Sequence, residues 1–239
     1  MDYSSPFLMG LRCVGRKLGV LRPVQIVWRK LRGEEYEQDF ERALLNGIKP
    51  GDVVWDIGAN IGFYTSKFAD IVGPTGKVVG FEPSPETSQT LKTNCAGHPN
   101  VVCEQIALSD VAGEADFHIA AEANSPVSGL AQRSAIPVAQ VCKVRVMTGD
   151  EFAAANPALA PSKMKIDVEG FELEVLRGMK SVLASPRLKA AYIEVHFSSL
   201  AERGLTGAPT EIAAMLKEGG FKVRWTDASH IEAIRAGQG

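Results

Sequence analysis

The chain of 239 residues is long enough for one substantial domain with an enzyme-sized core, and its 45% hydrophobic and 23% charged residues exclude disordered and fibrous classes. Its net charge of −2 is uneven: residues 1–33 carry seven Lys or Arg against one acid, Asp2, which leaves 19 bases against 27 acids beyond, so the body disfavours a polyanion partner such as nucleic acid. Cys13, Cys95, Cys103 and Cys142 form no paired ligand pattern, which argues against a zinc site or a disulfide framework and for a reducing compartment.

Residues 1–50 read as a helical, partly basic arm. No apolar run in the chain approaches the roughly 18 residues of a membrane span, and Arg12, Arg16 and Lys17 interrupt the apolar core that an export signal would keep. A cytoplasmic location is therefore expected. A solvated helix explains the arm, and a weak peripheral contact with an anionic surface is the sharper alternative. The arm ends in "EYEQDFERALLNGI", where Phe40, Leu44 and Ile48 recur at helical spacing before the turn "NGIKPGD".

Residues 51–239 read as the main domain. Strands are predicted at "VVWDIG" (53–58), "KVVGFEP" (77–83), "VVCEQIALS" (101–109), "MKIDV" (164–168) and "AAYIEVHF" (190–197), with helical stretches between most of them. This alternation predicts an α/β fold with a doubly wound parallel sheet between helical layers. "GEADFHIA" and "VCKVRVMTGDEF" add two strands around the small-residue loop "ANSPVSGLAQRSAIP" (123–137), expected near a ligand mouth. After the helix "TEIAAMLKEGG", the segment "FKVRWTDASHIEAIRAG" reads as an antiparallel hairpin turning through Asp227–His230.

The glycine loop after the first strand is the most informative segment. Gly58 and Gly62 allow a tight turn and close approach to a ligand, and Glu82, at the tip of the second strand, is placed to accept hydrogen bonds from two ribose hydroxyls. A dinucleotide site would want glycines at 58, 60 and 63, but the chain has Gly58, Asn60 and Phe63, which weakens a nicotinamide-dependent oxidoreductase. Asp56 at the strand tip would repel a pyrophosphate and suits a ligand carrying an ammonium and a sulfonium, as S-adenosylmethionine does.

Four acids follow the fourth strand: Asp167, Glu169, Glu172 and Glu174. Alternation along a strand would put Asp167 and Glu169 on one face at its carboxyl end, where ligands of open sheets bind. Glu172 and Glu174 read instead as solvated residues of a helix start. Glu194 and His196 on the next strand are again two apart, and adjacency of the two strands would let Asp167, Glu169, Glu194 and His196 border one pocket, with His196 a candidate base. The same four suit a divalent metal, but no compact ligand motif requires one and none is predicted. His98, His118 and His230 have no comparable setting, and the direction of Lys165 is open.

"GDVVWDIGANIGFYT", "VVGFEPSPET", "IALSD", "MKIDVEGFELEVLRGM" and "YIEVHF", in this order and spacing, resemble the FkbM family of class I S-adenosylmethionine-dependent methyltransferases. The resemblance runs from about Gly51 to His196. It implies a Rossmann-like, seven-stranded, three-layer sheet with the last strand antiparallel, and methylation of a hydroxyl on a small molecule, sugar or secondary metabolite. It also implies that Asp56, Gly58, Asn60 and Gly62 line the methionine end of the cofactor, Glu82 the ribose, and Ile106 to Leu108, centred on Ala107, the adenine, with Asp167 beside the methyl donor. "KIDVEGF" differs from the Asp/Asn-Pro-Pro-aromatic pattern of base-amino methylation. A cofactor-binding module without catalysis remains the alternative, weakened by the presence of all four acids and bases. Oligomeric state is not read from the sequence.

Overall fold

A computed structural model describes residues 39–120, 129–130 and 138–237. The basic arm and most of the 123–137 loop lie outside them. Helix α1 (39–47) presents Phe40 and Leu44, followed by Ile48, to the sheet, where they pack with Val54, Phe68, Ala190 and Tyr192.

The main sheet has seven strands. Its centre is β1 (Val53–Ile57), paired in parallel with β2 (Lys77–Phe81) and β7 (Lys163–Ile166). Both faces of β1 are covered: Val54 packs under α1 and α2 (Phe63–Val72), while Trp55 and Ile57 belong to the larger core on the other side. That double burial explains the nearly continuous apolar runs. After β2, the Ser84 hydroxyl caps α3 (Pro85–Asn94), which leads back to the sheet edge. Beyond β8 (Ala190–Glu194), β9 (Phe221–Trp225) and β10 (His230–Arg235) form the predicted hairpin, and β10 runs antiparallel to both neighbours.

The predicted third strand is two strands. β3 (Val101–Glu104) pairs with β2 until the Glu82 amide reaches the Glu104 carbonyl at 3.0 Å, and Pro83, which has no N–H, cannot extend the ladder. The order across the main sheet is thus β3-β2-β1-β7-β8-β10-β9. β4 (Ala107–Leu108) leaves it to pair with β6 (Val138–Met147), which also pairs with β5 (Gly113–Ala120). The strand predicted through "VCKVRVMTGDEF" stops at Met147, because Thr148 and Glu151 form a capping box on α4 (Gly149–Ala155). The second, three-stranded sheet stands over the carboxyl ends of β1 and β2 and supplies one wall of the cavity described next.

Candidate active site

The cavity opens at the carboxyl ends of β1, β2 and β7, the ligand side of an open parallel sheet. Gly58 starts the loop after β1 at φ 82°, and a Cβ there would lie 1.9 Å from the Asp167 carbonyl oxygen, so this crossing of the β1 and β7 loops requires glycine. Gly58 and Ala59 donate their amides to the Phe81 carbonyl at 3.1 and 3.0 Å, tying the loop to the end of β2.

Glu82 is clamped in that junction. Its two carboxylate oxygens accept from the Asn60 amide at 3.1 Å and the Ser84 amide at 2.9 Å. Burial pushes its carboxyl up to about 7, and the two amide bonds work against that rise. Each oxygen keeps a second lone pair for a ligand hydroxyl.

At the other end of the cavity the four acids and bases predicted from β7 and β8 come together. β7 and β8 are parallel neighbours, as expected. His196 Nε2 lies 3.7 Å from Asp167, 3.5 Å from Glu169 and 3.8 Å from Glu194. The route is not strand alternation: β7 ends at Ile166, and Glu169 turns back at φ 55°, a left-handed conformation uncommon outside glycine. Asp167 and Glu169 belong to the cavity wall, with Glu194 and His196 behind them.

Glu172 is not solvated as predicted; it is 0% exposed. Helix α5 (Glu172–Arg177) is short and covered by the turn after β8, so its first residue points inward. One Glu172 oxygen meets both the Gly170 amide and His196 Nδ1 at 2.8 Å. Glu174 is likewise engaged rather than solvated, paired with Arg203, which also donates to the Gly170 carbonyl and stacks 3.8 Å over Phe171 of the cavity wall. Burial disfavours a charge on His196, but its bonds to Glu169 and Glu172 outweigh burial and push it up to about 11. That shift favours the imidazolium in the unliganded protein and weakens His196 as a free base.

His230 also corrects the prediction. Antiparallel pairing places it opposite Glu194, so its Nε2 lies 3.5 Å from that carboxylate while Nδ1 meets Asp227 at 2.7 Å. Its ring stacks on Phe40 at 4.1 Å, linking α1 to the acid network, and the two carboxylates raise it to about 9 against the effect of burial.

Asp56 and Gly62 are absent from the cavity wall, whereas Gly58, Asn60, Glu82, Ala107 and Asp167 are part of it. The Asp56 side chain points to the α2 face, accepts the Thr65 hydroxyl at 2.6 Å and lies 3.7 Å from Lys165. Sequence reasoning left Lys165 undirected; its ammonium sits between Asp56 and Asp167, 3.1 Å from the latter. Asp110 is exposed and takes the Ser109 hydroxyl at 3.2 Å, so Ile106, Ala107 and Leu108 form the apolar wall without it.

Among the described residues, the charged side chains of the wall are Glu82, Asp167 and Glu169, and none of them is basic. That donor set fits a ligand with hydroxyls at one end and cationic groups at the other, and it disfavours a pyrophosphate. Asp167, Glu169 and His196 also offer one atom each within 4.8 Å of one another, a donor set that can take a divalent cation.

A family model described as "Methyltransferase FkbM domain" matches residues 56–223. The hexuronic acid methyltransferase AglP of Haloferax volcanii is 33% identical over 180 residues, covering 74% of this chain and 69% of that protein. The 31-O-demethyl-FK506 methyltransferase FkbM of Streptomyces tacrolimicus is 30% identical, covering 74% of this chain and 75% of its own length. A solved structure described as a candidate rRNA methylase from Clostridium thermocellum superposes with a TM-score of 0.51 at 10% identity, covering 82% of this chain and 92% of that one, a likeness of fold. Among the described residues no helix is long and apolar enough to cross a membrane. With S-adenosylmethionine as methyl donor and this sheet as scaffold, the chain belongs to the FkbM family of methyltransferases.

Proposed function

We propose that the chain methylates a hydroxyl group of a sugar or another hydroxylated metabolite. The observation that carries this reading is the pair Asp167 and Glu169 on the cavity wall, with His196 held behind them by Glu172. The names of the two relatives, one for a hexuronic acid and one for an O-demethylated metabolite, support that acceptor class.

In this reading Glu82 takes the ribose hydroxyls, Gly58 and Asn60 flank the methionyl portion, and the apolar wall around Ala107 takes the adenine. Asp167 faces the donor's cationic end. Asp56 and Gly62 act from behind the wall, Asp56 through Lys165 and Gly62 through its left-handed turn into α2. S-adenosylmethionine supplies a methyl group on a sulfonium, which becomes a neutral thioether as the acceptor oxygen forms the new C–O bond. Glu169 receives the hydroxyl proton, and Glu194 and His196 orient Glu169 and Asp167 for in-line alignment with the acceptor.

A panel of uronic acids, neutral sugars and macrocyclic alcohols incubated with methyl-labelled S-adenosylmethionine tests the class. Label in a hydroxylated acceptor supports it; a cofactor-binding protein that labels none of them refutes it. Repeating the assay with chelator decides the role of the Asp167, Glu169 and His196 set, since loss of turnover would assign it to a divalent cation and unchanged turnover leaves Glu169 to act alone.

The same reading treats residues 51–239 as the methyltransferase unit, served by a 1–50 arm whose 39–48 portion docks on the sheet. It carries a cytoplasmic location and a weak peripheral contact for the basic part of the arm. Equal sedimentation with anionic vesicles of the full chain and a chain lacking residues 1–33 would refute that contact.

A further inference from the structure

Behind the cavity wall, on the α2 face of the sheet, lies the buried cation that connects Asp56 to the wall. Lys165 is 3% exposed. The parallel register of β1 and β7 sets it beside Asp56, and Gly80 on the far side of Asp56 contributes no side chain. The Lys165 ammonium lies 3.7 Å from Asp56 Oδ1, 3.1 Å from Asp167 Oδ2 and 5.1 Å from the centroid of the Tyr64 ring. Asp56 Oδ1 is buried and has no hydrogen-bond partner, so its stabilisation comes from this ammonium.

A buried ion pair is not needed to fill space, because apolar residues of similar volume stabilise a fold equally well or better. What an apolar residue could not do is favour the negative charge of Asp167 beside a second carboxylate. Without the ammonium between them, Asp56 and Asp167 would oppose each other's charge, and one would take up a proton. Asp167 is the one that reaches the cavity wall.

We infer that Lys165 is a positioning residue for methyl transfer: from behind the sheet its ammonium fixes the orientation and the negative charge of Asp167, so that the donor's cationic end meets a carboxylate. This rests on the reading of Asp167 as the donor contact. At Lys165 and Asp167 the direction of the titrations agrees with the geometry, whereas at Asp56 burial outweighs Lys165 and holds the carboxyl above its usual range. Against the effect of burial, Asp167 and Asp56 hold the Lys165 ammonium above its usual range, and Lys165 and then His196 hold Asp167 below the usual carboxylate range. The charged and titratable groups around Lys165 and Asp167 are Asp56 on β1, Tyr64 on α2, Lys165 itself near the end of β7, Glu194 and His196 from β8 and its following turn, His230 on β10, and Glu169.

The test compares binding of S-adenosylmethionine, a sulfonium, with S-adenosylhomocysteine, a neutral thioether, by calorimetry from pH 6 to 9. Each variant's ratio is compared with that of the unaltered protein at the same pH, so the titration of the two probes' own amino groups cancels. Lys165→Met is expected to shift the ratio roughly tenfold against the sulfonium, because the Asp167 carboxylate loses the ammonium that orients it. Lys165→Met with Asp56→Asn leaves no unpaired buried charge at the pair, keeps the measurement available if the single variant fails to fold, and is expected to show the same shift in smaller size. A folded variant of either kind whose ratio equals that of the unaltered protein at every pH would overturn the inference and leave Lys165 a strut. Asp167→Asn separates the two claims: an unchanged ratio there would overturn the reading of Asp167 as the donor contact, and with it the function assigned to Lys165.

Discussion

Substituting Glu82 by Gln keeps the side-chain shape and removes the charge at the junction of the glycine loop and β2. Both carboxylate oxygens accept a backbone amide, from Asn60 at 3.1 Å and from Ser84 at 2.9 Å. In the carboxamide of the Glu82→Gln variant one of those positions becomes an NH2 group facing an N–H donor. A buried donor left without an acceptor costs about 1–3 kcal/mol, and the lost carboxylate weakens any ligand diol bond, so cofactor affinity should fall on the order of ten- to a hundredfold. The unaltered protein carries a second signature. The Glu82 carboxyl titrates at about 7, raised mainly by burial. The ionised form is the one that accepts from two hydroxyls, so affinity for S-adenosylhomocysteine should rise with pH through that value, by roughly tenfold from pH 6 to pH 8. Glu82→Gln should abolish that rise. The assay is titration calorimetry or intrinsic tryptophan fluorescence at fixed ionic strength. A flat profile in the unaltered protein, or an unchanged slope in Glu82→Gln, would refute the placement of the ribose on Glu82.

Four further outcomes follow from the acid network. Gly170 has φ 104°, and a Cβ there would lie 2.4 Å from Ser199 Cβ, so Gly170→Ala should destabilise the fold by about 1–3 kcal/mol; thermal unfolding checks it, and an unchanged midpoint contradicts it. His196→Ala leaves the fully buried Glu172 without its cationic partner and should destabilise by about 3–5 kcal/mol, much of it recovered by adding Glu172→Gln; failure of the double variant to recover stability in denaturant unfolding would show that the pair is not the cause. Because the His196 pKa is raised from its ordinary value of 6.5 to about 11, its contribution to stability is fully present below pH 6.5 and lost as pH rises toward 11, a loss that urea unfolding should detect in the unaltered protein and find absent in His196→Gln. Arg203→Met frees the Gly170 carbonyl and Phe171 from the guanidinium and should raise the acceptor KM several-fold while leaving S-adenosylhomocysteine affinity within about twofold; the reverse pattern would move Arg203 to the cofactor side.

Residues whose placement depends on local pattern were readable from the sequence. Glu82 follows from its spacing after the glycine loop, the α1 face from the interval between Phe40, Leu44 and Ile48, and the approach of His196 to Asp167 from the adjacency of two parallel strands. Residues whose placement depends on register or on a third element were not. Lys165 meets Asp56 because β1 and β7 pair with those two residues side by side, which no spacing within β7 reveals. Glu172 reads as a solvated helix start until the turn after β8 closes over it, and His230 joins the network only because β10 inserts between β8 and β9. The break between β3 and β4 had a signal in Pro83, whose missing N–H ends the ladder on the neighbouring strand. The loop predicted near the ligand mouth, 123–137, lies outside the described residues except for Gly129 and Leu130, both of which line the cavity.

The central claim is that the methyl group goes to oxygen. Turnover of a sugar or hydroxylated metabolite with S-adenosylmethionine carrying a 13C methyl group, followed by carbon–proton correlation NMR of the purified product, reads the acceptor atom directly. A methyl ether is expected, with the labelled carbon coupled across oxygen to a carbinol carbon. A labelled methyl bonded to nitrogen or carbon would contradict it.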